Sequence, residues 1–219
     1  MKDAESELPE LTPELVLRAY GAGVFPMADH ATSEDIYWVD PRKRGILPLQ
    51  GFHLSRSLRK RLLKADYSVR VNTAFIETLD ACADRPETWI NETIRDLFIS
   101  LNRMGYAHSI EVWQDDRMIG GLYGLTLGSA FFGESMFSRA RDGSKIALAW
   151  LVARLRVGNF TLLDTQFTTE HLESLGARAV PRQHYHELLD RAMATRGDFF
   201  AFSADYSPKG VVQLITQTS

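Results

Sequence analysis

The sequence predicts an α+β fold built around a mostly antiparallel sheet, with a small α/β unit ahead of it. Three observations carry this. Residues 109–113, 118–126 and 130–137 are successive strand-like runs joined by the turns Gln114-Asp115-Asp116-Arg117 and Leu127-Gly128-Ser129. Segments with helical spacing precede and follow that meander. Finally, the first fifty residues are short runs punctuated by glycine and proline.

Taken in order, Thr12 and Pro13 with Leu15, Val16 and Ala19 read as an N-cap, a first-turn proline and a short helix ending at Gly21. Residues 20–27, broken by Gly21, Gly23 and Pro26, predict a packed loop. Residues 36–39 and 46–49 are strand candidates on either side of Asp40-Pro41-Arg42-Lys43-Arg44. These elements make the small unit, residues 1–52, and a larger domain runs over 53–219. There, a basic helix from Ser55 to about Lys64 leads to a strand at 67–71 and a helix capped by Asn72 through about Ala83. Asn91 caps a further helix to about Met104, with Ile94, Leu97, Phe98 and Leu101 on one face.

After the meander, Ser144 opens an apolar helix over 145–156 that ends at Gly158 and feeds a strand at 160–164. Residues 168–176 form a short helix closed by glycine, and Pro181 opens another to about Met193. The aromatic-rich tail after Gly197 is too weakly patterned to predict an element. Helix, helix, three-strand meander, helix, strand, helix is the order found in acyltransferases of the GNAT type, an analogy that by itself says little about function.

The composition, 45% hydrophobic and 24% charged, is that of an ordinary globular protein. The single Cys82 excludes an internal disulfide and any multi-cysteine metal site, and fits a reducing cytoplasm. Residues 1–7 are acidic and lack the apolar core of a signal peptide, and no run approaches the ~18 apolar residues of a membrane helix. His184 and His186 lie about 200 degrees apart on their helix and cannot share a metal. A net charge of -3 argues against nucleic-acid binding by the whole surface. One local exception is Arg56, Arg59, Lys60, Arg61 and Lys64, where Arg56, Lys60 and Lys64 form a stripe at i, i+4 and i+8. That stripe fits either a solvated face or a site for a polyanion such as RNA.

Two apolar strand runs are interrupted by carboxylates: Glu134 in Phe131-Phe132-Gly133-Glu134-Ser135-Met136-Phe137-Ser138, and Asp164 in Leu162-Leu163-Asp164-Thr165-Gln166. A buried carboxylate is costly unless paired, hydrogen-bonded or kept for chemistry, so the pair points to a site if the strands are neighbours opening onto one pocket. The same pattern fits two solvent-side residues on half-buried strands. No G-x-S-x-G elbow or Walker loop is present. Arg139-Ala140-Arg141-Asp142-Gly143-Ser144-Lys145 stands where a GNAT enzyme carries its glycine-rich pyrophosphate loop, but one glycine is too few, which argues against coenzyme A. Arg141 and Lys145 fit a phosphate on another donor or an ordinary charged loop.

The chain resembles the leucyl/phenylalanyl-tRNA-protein transferases over roughly residues 12–190. The resemblance is carried by Tyr20, Phe25-Pro26, Trp38, Pro41, Arg44, Ser55-Arg56-Ser57 and Thr88-Trp89-Ile90. It continues through Ala107-His108-Ser109-Ile110-Glu111, Gly120-Gly121-Leu122-Tyr123-Gly124 and the run from Phe132 to Ser138. Ser144-Lys145, Asp164-Thr165-Gln166, His171, Leu175-Gly176-Ala177 and Pro181-Arg182 complete it. It implies a small amino-terminal domain on a GNAT-like domain that takes aminoacyl-tRNA in place of acetyl-CoA. It further implies transfer of Leu or Phe to the α-amine of proteins beginning with Arg or Lys, in the cytoplasm, as a step of the bacterial N-end rule pathway. No cofactor, metal or membrane is implied, and because an aminoacyl ester is already activated no ATP site is required.

Residue by residue, the resemblance makes Asp164 the acceptor or relay of the amine proton, with Gln166 orienting the amine or ester. Glu134 becomes a carboxylate for a cationic acceptor or for the donor's α-ammonium. Loss of Leu or Phe transfer in Asp164→Ala with an intact fold is the expected signature. Trp89, Leu122, Phe131, Leu148, Leu163 and Met27 match the aminoacyl pocket, although each also fits plain core. Met27 replaces a Trp of many relatives, which weakens stacking on the terminal adenine. Arg56, Lys60 and Lys64 match the family's tRNA-contacting helix. The chain also lacks the glycine-rich lead of many relatives, which implies a trimmed small domain.

Overall fold

The computed structural model describes residues 11–203 and 206–217. Residues 1–10, with the acidic start and the expected trimming, lie outside them. The elements run α1 (Pro13–Gly21), β1 (Phe25–Ala28), β2 (Ile36–Val39), β3 (Lys43–Ile46), α2 (Arg56–Lys64), β4 (Ser68–Val71), α3 (Phe75–Ala83) and α4 (Glu92–Arg103). They continue with β5 (Ala107–Gln114), β6 (Arg117–Leu127), β7 (Ala130–Ser138), α5 (Gly143–Val157), β8 (Leu162–Gln166), α6 (Glu170–Glu173), β9 (Arg178–Pro181), α7 (Arg182–Met193) and α8 (Pro208–Thr216).

The main sheet has the order β4-β5-β6-β7-β8-β3-β9, and all its pairs are antiparallel except β7 with β8. Strand alternation sends side chains to two separate cores. Leu122, Phe131 and Leu163 face one core with α2, α5 and α8. Their neighbours Tyr123, Phe132 and Leu162 face the other, with α1, α3, α4 and α7. α5 is buried almost all round, from Ile146 through Leu155, as its largely apolar character requires, with Arg154 donating to Phe199 O at 2.7 Å.

Several elements differ from expectation. The strand expected at 46–49 overlaps β3 only at Ile46; β3 begins three residues earlier, and Leu49–Gly51 make a 3-10 turn. Although β3 belongs to the segment read as the small unit, it is inserted between β8 and β9 of the large sheet. The expected loop at 20–27 contains β1, which pairs with β2 as a separate two-stranded sheet.

Asn72 does not cap α3. It sits at a left-handed φ of 56°, its Oδ1 accepting from Ser109 N at 2.9 Å. The free N–H groups before α3 go instead to the buried Glu111 carboxylate, which accepts from Thr73 N at 3.3 Å and Ala74 N at 3.1 Å. A strand carboxylate thus satisfies the helix N-terminus and its partial positive charge. β9 and α8 had no expectation attached, being a four-residue strand ending in proline and a helix inside the weakly patterned tail.

Candidate active site

The site opens where β7 and β8 part. These strands pair only as far as Phe132 opposite Asp164, and each then carries an extra residue. Tyr123 pairs with Ser135 and Gly124 with Gly133, so Glu134 is bulged out of the β7 ladder. Gly45 pairs with Gln166 and Ile46 with Asp164, which makes Thr165 the extra residue of β8. A bulge bends its strand and re-aims a side chain. Gln166 also adopts a left-handed φ of 55°. Gly45 makes the room, since a Cβ there would stand 2.5 Å from the Phe167 carbonyl and 2.7 Å from Thr165 Oγ1.

Between the parted strands lies a cavity of about 300 Å³. Met27, Trp89, Leu122, Leu148 and Leu163, five of the six side chains expected in an aminoacyl pocket, line it together with Met136 and Leu151. Phe131 does not. It is fully buried over Gly124 and stacks on Phe199 at 5.8 Å, on the same face as Leu163 but where β7 and β8 are still paired, before the strands part.

Glu134 and Gln166 both face the cavity. Gln166 Nε2 donates to Glu134 Oε1 at 3.0 Å, and the hydroxyl of the buried Tyr20 donates to the same oxygen at 2.8 Å. Burial pushes the Glu134 carboxyl up to about 8, the hydrogen bond from Tyr20 opposing and the nearby Asp164 charge adding to the rise. This puts its titration in the range of an α-amine. Two hydroxyls of the cavity wall, Tyr123 OH and Thr165 Oγ1, are buried without a hydrogen-bond partner.

Asp164 stands one shell behind. It is fully buried and absent from the cavity wall. Arg44 grips it, Nε donating to Oδ1 at 3.0 Å and Nη2 to Oδ2 at 2.7 Å, while Tyr185 OH donates to Oδ2 at 2.7 Å. Its remaining bond comes from the backbone N–H of Gln166, at 2.8 Å to Oδ1. Arg44 lies between the rings of Phe25 and Tyr185, 4.4 and 4.5 Å from their centroids, and donates to Gly23 O at 2.9 Å. With its oxygens already engaged, Asp164 makes no contact with the cavity, and the carboxylate that faces the cavity is Glu134.

On α2, Leu58 and Leu62 pack inward, leaving Arg56, Lys60 and Lys64 exposed on the outer face. Lys64 is held by Asp66 at 2.7 Å. The start of α2 is tied to the pocket wall: His53 N donates to Leu175 O at 2.8 Å, just beyond His171 and Leu172, which line the cavity. Sequence reasoning assigned no role to Arg44, Tyr20, Arg85 or Tyr185. Tyr20 and Arg44 were visible as matched positions. Arg85, whose Nη2 donates to Ser135 Oγ at 3.0 Å at the cavity edge, and Tyr185 carried no such signal.

An apolar slot between parted strands, with a carboxylate and an amide on its wall, suits an enzyme that handles an apolar group beside a polar reacting centre. The family model described as leucyl/phenylalanyl-tRNA protein transferase matches residues 46–190, and that of its N-terminal domain matches residues 9–42. The chain belongs to this family. A Cereibacter sphaeroides protein named leucyl/phenylalanyl-tRNA--protein transferase is 55% identical over 211 residues, covering 96% of this chain and 99% of its own. A Ruegeria pomeroyi protein of the same name is 55% identical over 209 residues, covering 95% and 99%. Among solved structures, FemX shares the fold, with a TM-score of 0.51 and 13% identity over 80% of this chain and 70% of its own. No helix among the described residues is long and apolar enough to cross a membrane.

Proposed function

We propose that this transferase moves Leu or Phe from aminoacyl-tRNA to the α-amino group of proteins beginning with Arg or Lys, in the cytoplasm, as a step of the bacterial N-end rule pathway. The GNAT-like part of the chain would take the ester in place of acetyl-CoA, with residues 1–52 as the smaller amino-terminal part. The observation that carries this reading is the pairing of an apolar cavity with the half-buried Glu134 and its partner Gln166. An apolar side chain fits the slot, and a cationic amine fits the carboxylate.

In this reading the ionised fraction of Glu134, which grows as pH rises toward 8, takes a proton from the acceptor's α-ammonium, the two groups having matched acidities. The free amine then attacks the ester carbonyl carbon. A C–N bond forms, the bond from carbonyl carbon to ribose oxygen breaks, and that oxygen leaves with the second proton released by the attacking nitrogen. Gln166 cannot titrate; its amide holds Glu134 and orients the amine. Asp164 acts through Gln166 as a positioning residue. Met27, Trp89, Leu122, Leu148 and Leu163 hold the side chain being transferred. Arg56, Lys60 and Lys64 bind acceptor-stem phosphates without reading sequence.

The test is transfer of labelled Leu from charged tRNA to an Arg-starting peptide, with an Ala-starting peptide as control. Transfer to the first and not the second is expected. Equal labelling of both would overturn the acceptor assignment, and labelling of neither would overturn the reaction.

A further inference from the structure

The Glu134 carboxylate faces the cavity, and α5 supplies another part of its wall. Leu148 and Leu151 line the cavity from that helix at a spacing of three residues. Lys145, three residues before Leu148, begins the same stripe. Its side chain is 34% exposed, and its nearest carboxylate is Asp142 at 3.8 Å, too long for a hydrogen bond. His171, which lines the cavity from α6, feels the Lys145 charge: burial first and Lys145 second push its imidazole down from the usual value. At neutral pH His171 therefore presents an uncharged ring with one N–H to donate, beside a full positive charge.

An acceptor beginning with Arg or Lys is repelled by Lys145 whereas a phosphate is attracted, so this cation suits the donor. The donor's path is marked as well. Arg56 lies exposed in the first turn of α2, and the His53 to Leu175 hydrogen bond joins the start of that helix to the α6 segment carrying His171. A donor whose acceptor stem lay on α2 and whose end entered the cavity would pass the α6 segment that carries His171.

We propose that Lys145 and His171 bind the phosphodiester next to the aminoacylated nucleotide, with Lys145 supplying the charge and His171 a hydrogen bond; this rests on the aminoacyl-tRNA reading above. The contact fixes which end of the cavity the ester enters and so presents its carbonyl to the amine held by Glu134. Arg141, 86% exposed, flanks the rim without closing it.

The experiment compares two donors for the full chain: a Phe ester of adenosine, which has no phosphate, and a Phe ester of a trinucleotide ending in adenosine. In Lys145→Met, KM for the trinucleotide donor should rise about tenfold, the size of one charge-assisted hydrogen bond, with kcat little changed. kcat/KM for the adenosine ester should stay within about twofold, because no phosphate contact exists to lose. Lys145→Arg should restore most of the loss. An equal loss on both donors would place Lys145 in the chemistry or the fold and overturn the proposal, and so would no loss on either. Failure of the wild type to use either donor would instead overturn the donor reading on which the proposal rests.

Discussion

Asp164 and Gln166 are joined within a single strand: the backbone N–H of Gln166 donates to Asp164 Oδ1 at 2.8 Å while Gln166 sits at φ 55°. That bond holds a conformation that side-chain-bearing residues rarely adopt, and it sends the Gln166 amide toward Glu134. The carboxylate in the core thus acts on the cavity through backbone geometry.

The first expected outcome concerns stability. Removing one member of a buried ion pair leaves the other uncompensated, at about 3–5 kcal/mol. Asp164→Ala should therefore unfold at markedly lower urea than the wild type, contrary to the intact fold expected from sequence. Replacing both Arg44 and Asp164 by Leu should recover much of that stability without recovering transfer, because Gln166 has lost its anchor. An Asp164→Ala melt that overlays the wild type would remove the ion pair from the account.

Glu134 opposes stability where it is ionised. Its folded-state value, about 8, lies above the ordinary 4.5, so its contribution is fully present below about pH 4.5 and is lost as pH rises through about 8. Across that window the folded state holds a proton that the unfolded state has released. Wild-type stability should fall relative to Glu134→Gln by on the order of 1 kcal/mol per pH unit. The two proteins should melt alike near pH 4 and diverge by pH 8, with transfer lost in the variant. Parallel melting curves across the range would contradict the raised acidity constant.

Leu148 lines the cavity wall, so Leu148→Phe should shorten the slot. In competition between Leu-tRNA and Phe-tRNA, the preference should move toward Leu by about tenfold, the usual worth of a small volume change in an apolar pocket. A shift toward Phe would mean that the transferred side chain lies elsewhere.

On α2 the three stripe residues are not equivalent. Lys64 is engaged with Asp66 at 2.7 Å, whereas Arg56 and Lys60 have no ion pair among the described residues. Arg56→Ala and Lys60→Ala should each raise KM for charged tRNA and reduce the steepness of its logarithmic salt dependence by about one unit. Lys64→Ala should do less, and KM for the acceptor peptide should not move. Equal effects of all three would argue against direct phosphate contact by Arg56 and Lys60.

What could be read from sequence was local. The meander over β5, β6 and β7 was legible because short turns join long strand-like runs, and α4 because Asn91 caps a regular apolar stripe. Glu134 and Asp164 stood out as carboxylates in apolar runs. Their division of labour did not, because a bulge is a property of pairing and not of one strand. Phe131 and Leu163 looked alike as pocket candidates, yet only Leu163 stands beside the opening between the strands. Arg44 lay inside a charged stretch that reads as a turn, and nothing nearby in sequence names its partner. The same holds for Glu111, whose service to α3 depends on β5 lying beside Thr73.

The insertion of β3 between β8 and β9 has a consequence for how the chain is made. Arg44 and Asp164 are 120 positions apart, and both sheet neighbours of β3 come from the last third of the chain. During synthesis the ribosome releases β3 long before either neighbour exists, so the strand waits unpaired while the meander forms. Arg44 can find Asp164 only once β8 has emerged, and the hold on that carboxylate is complete only with Tyr185. A nascent or truncated chain ending before β8 is thus born inactive.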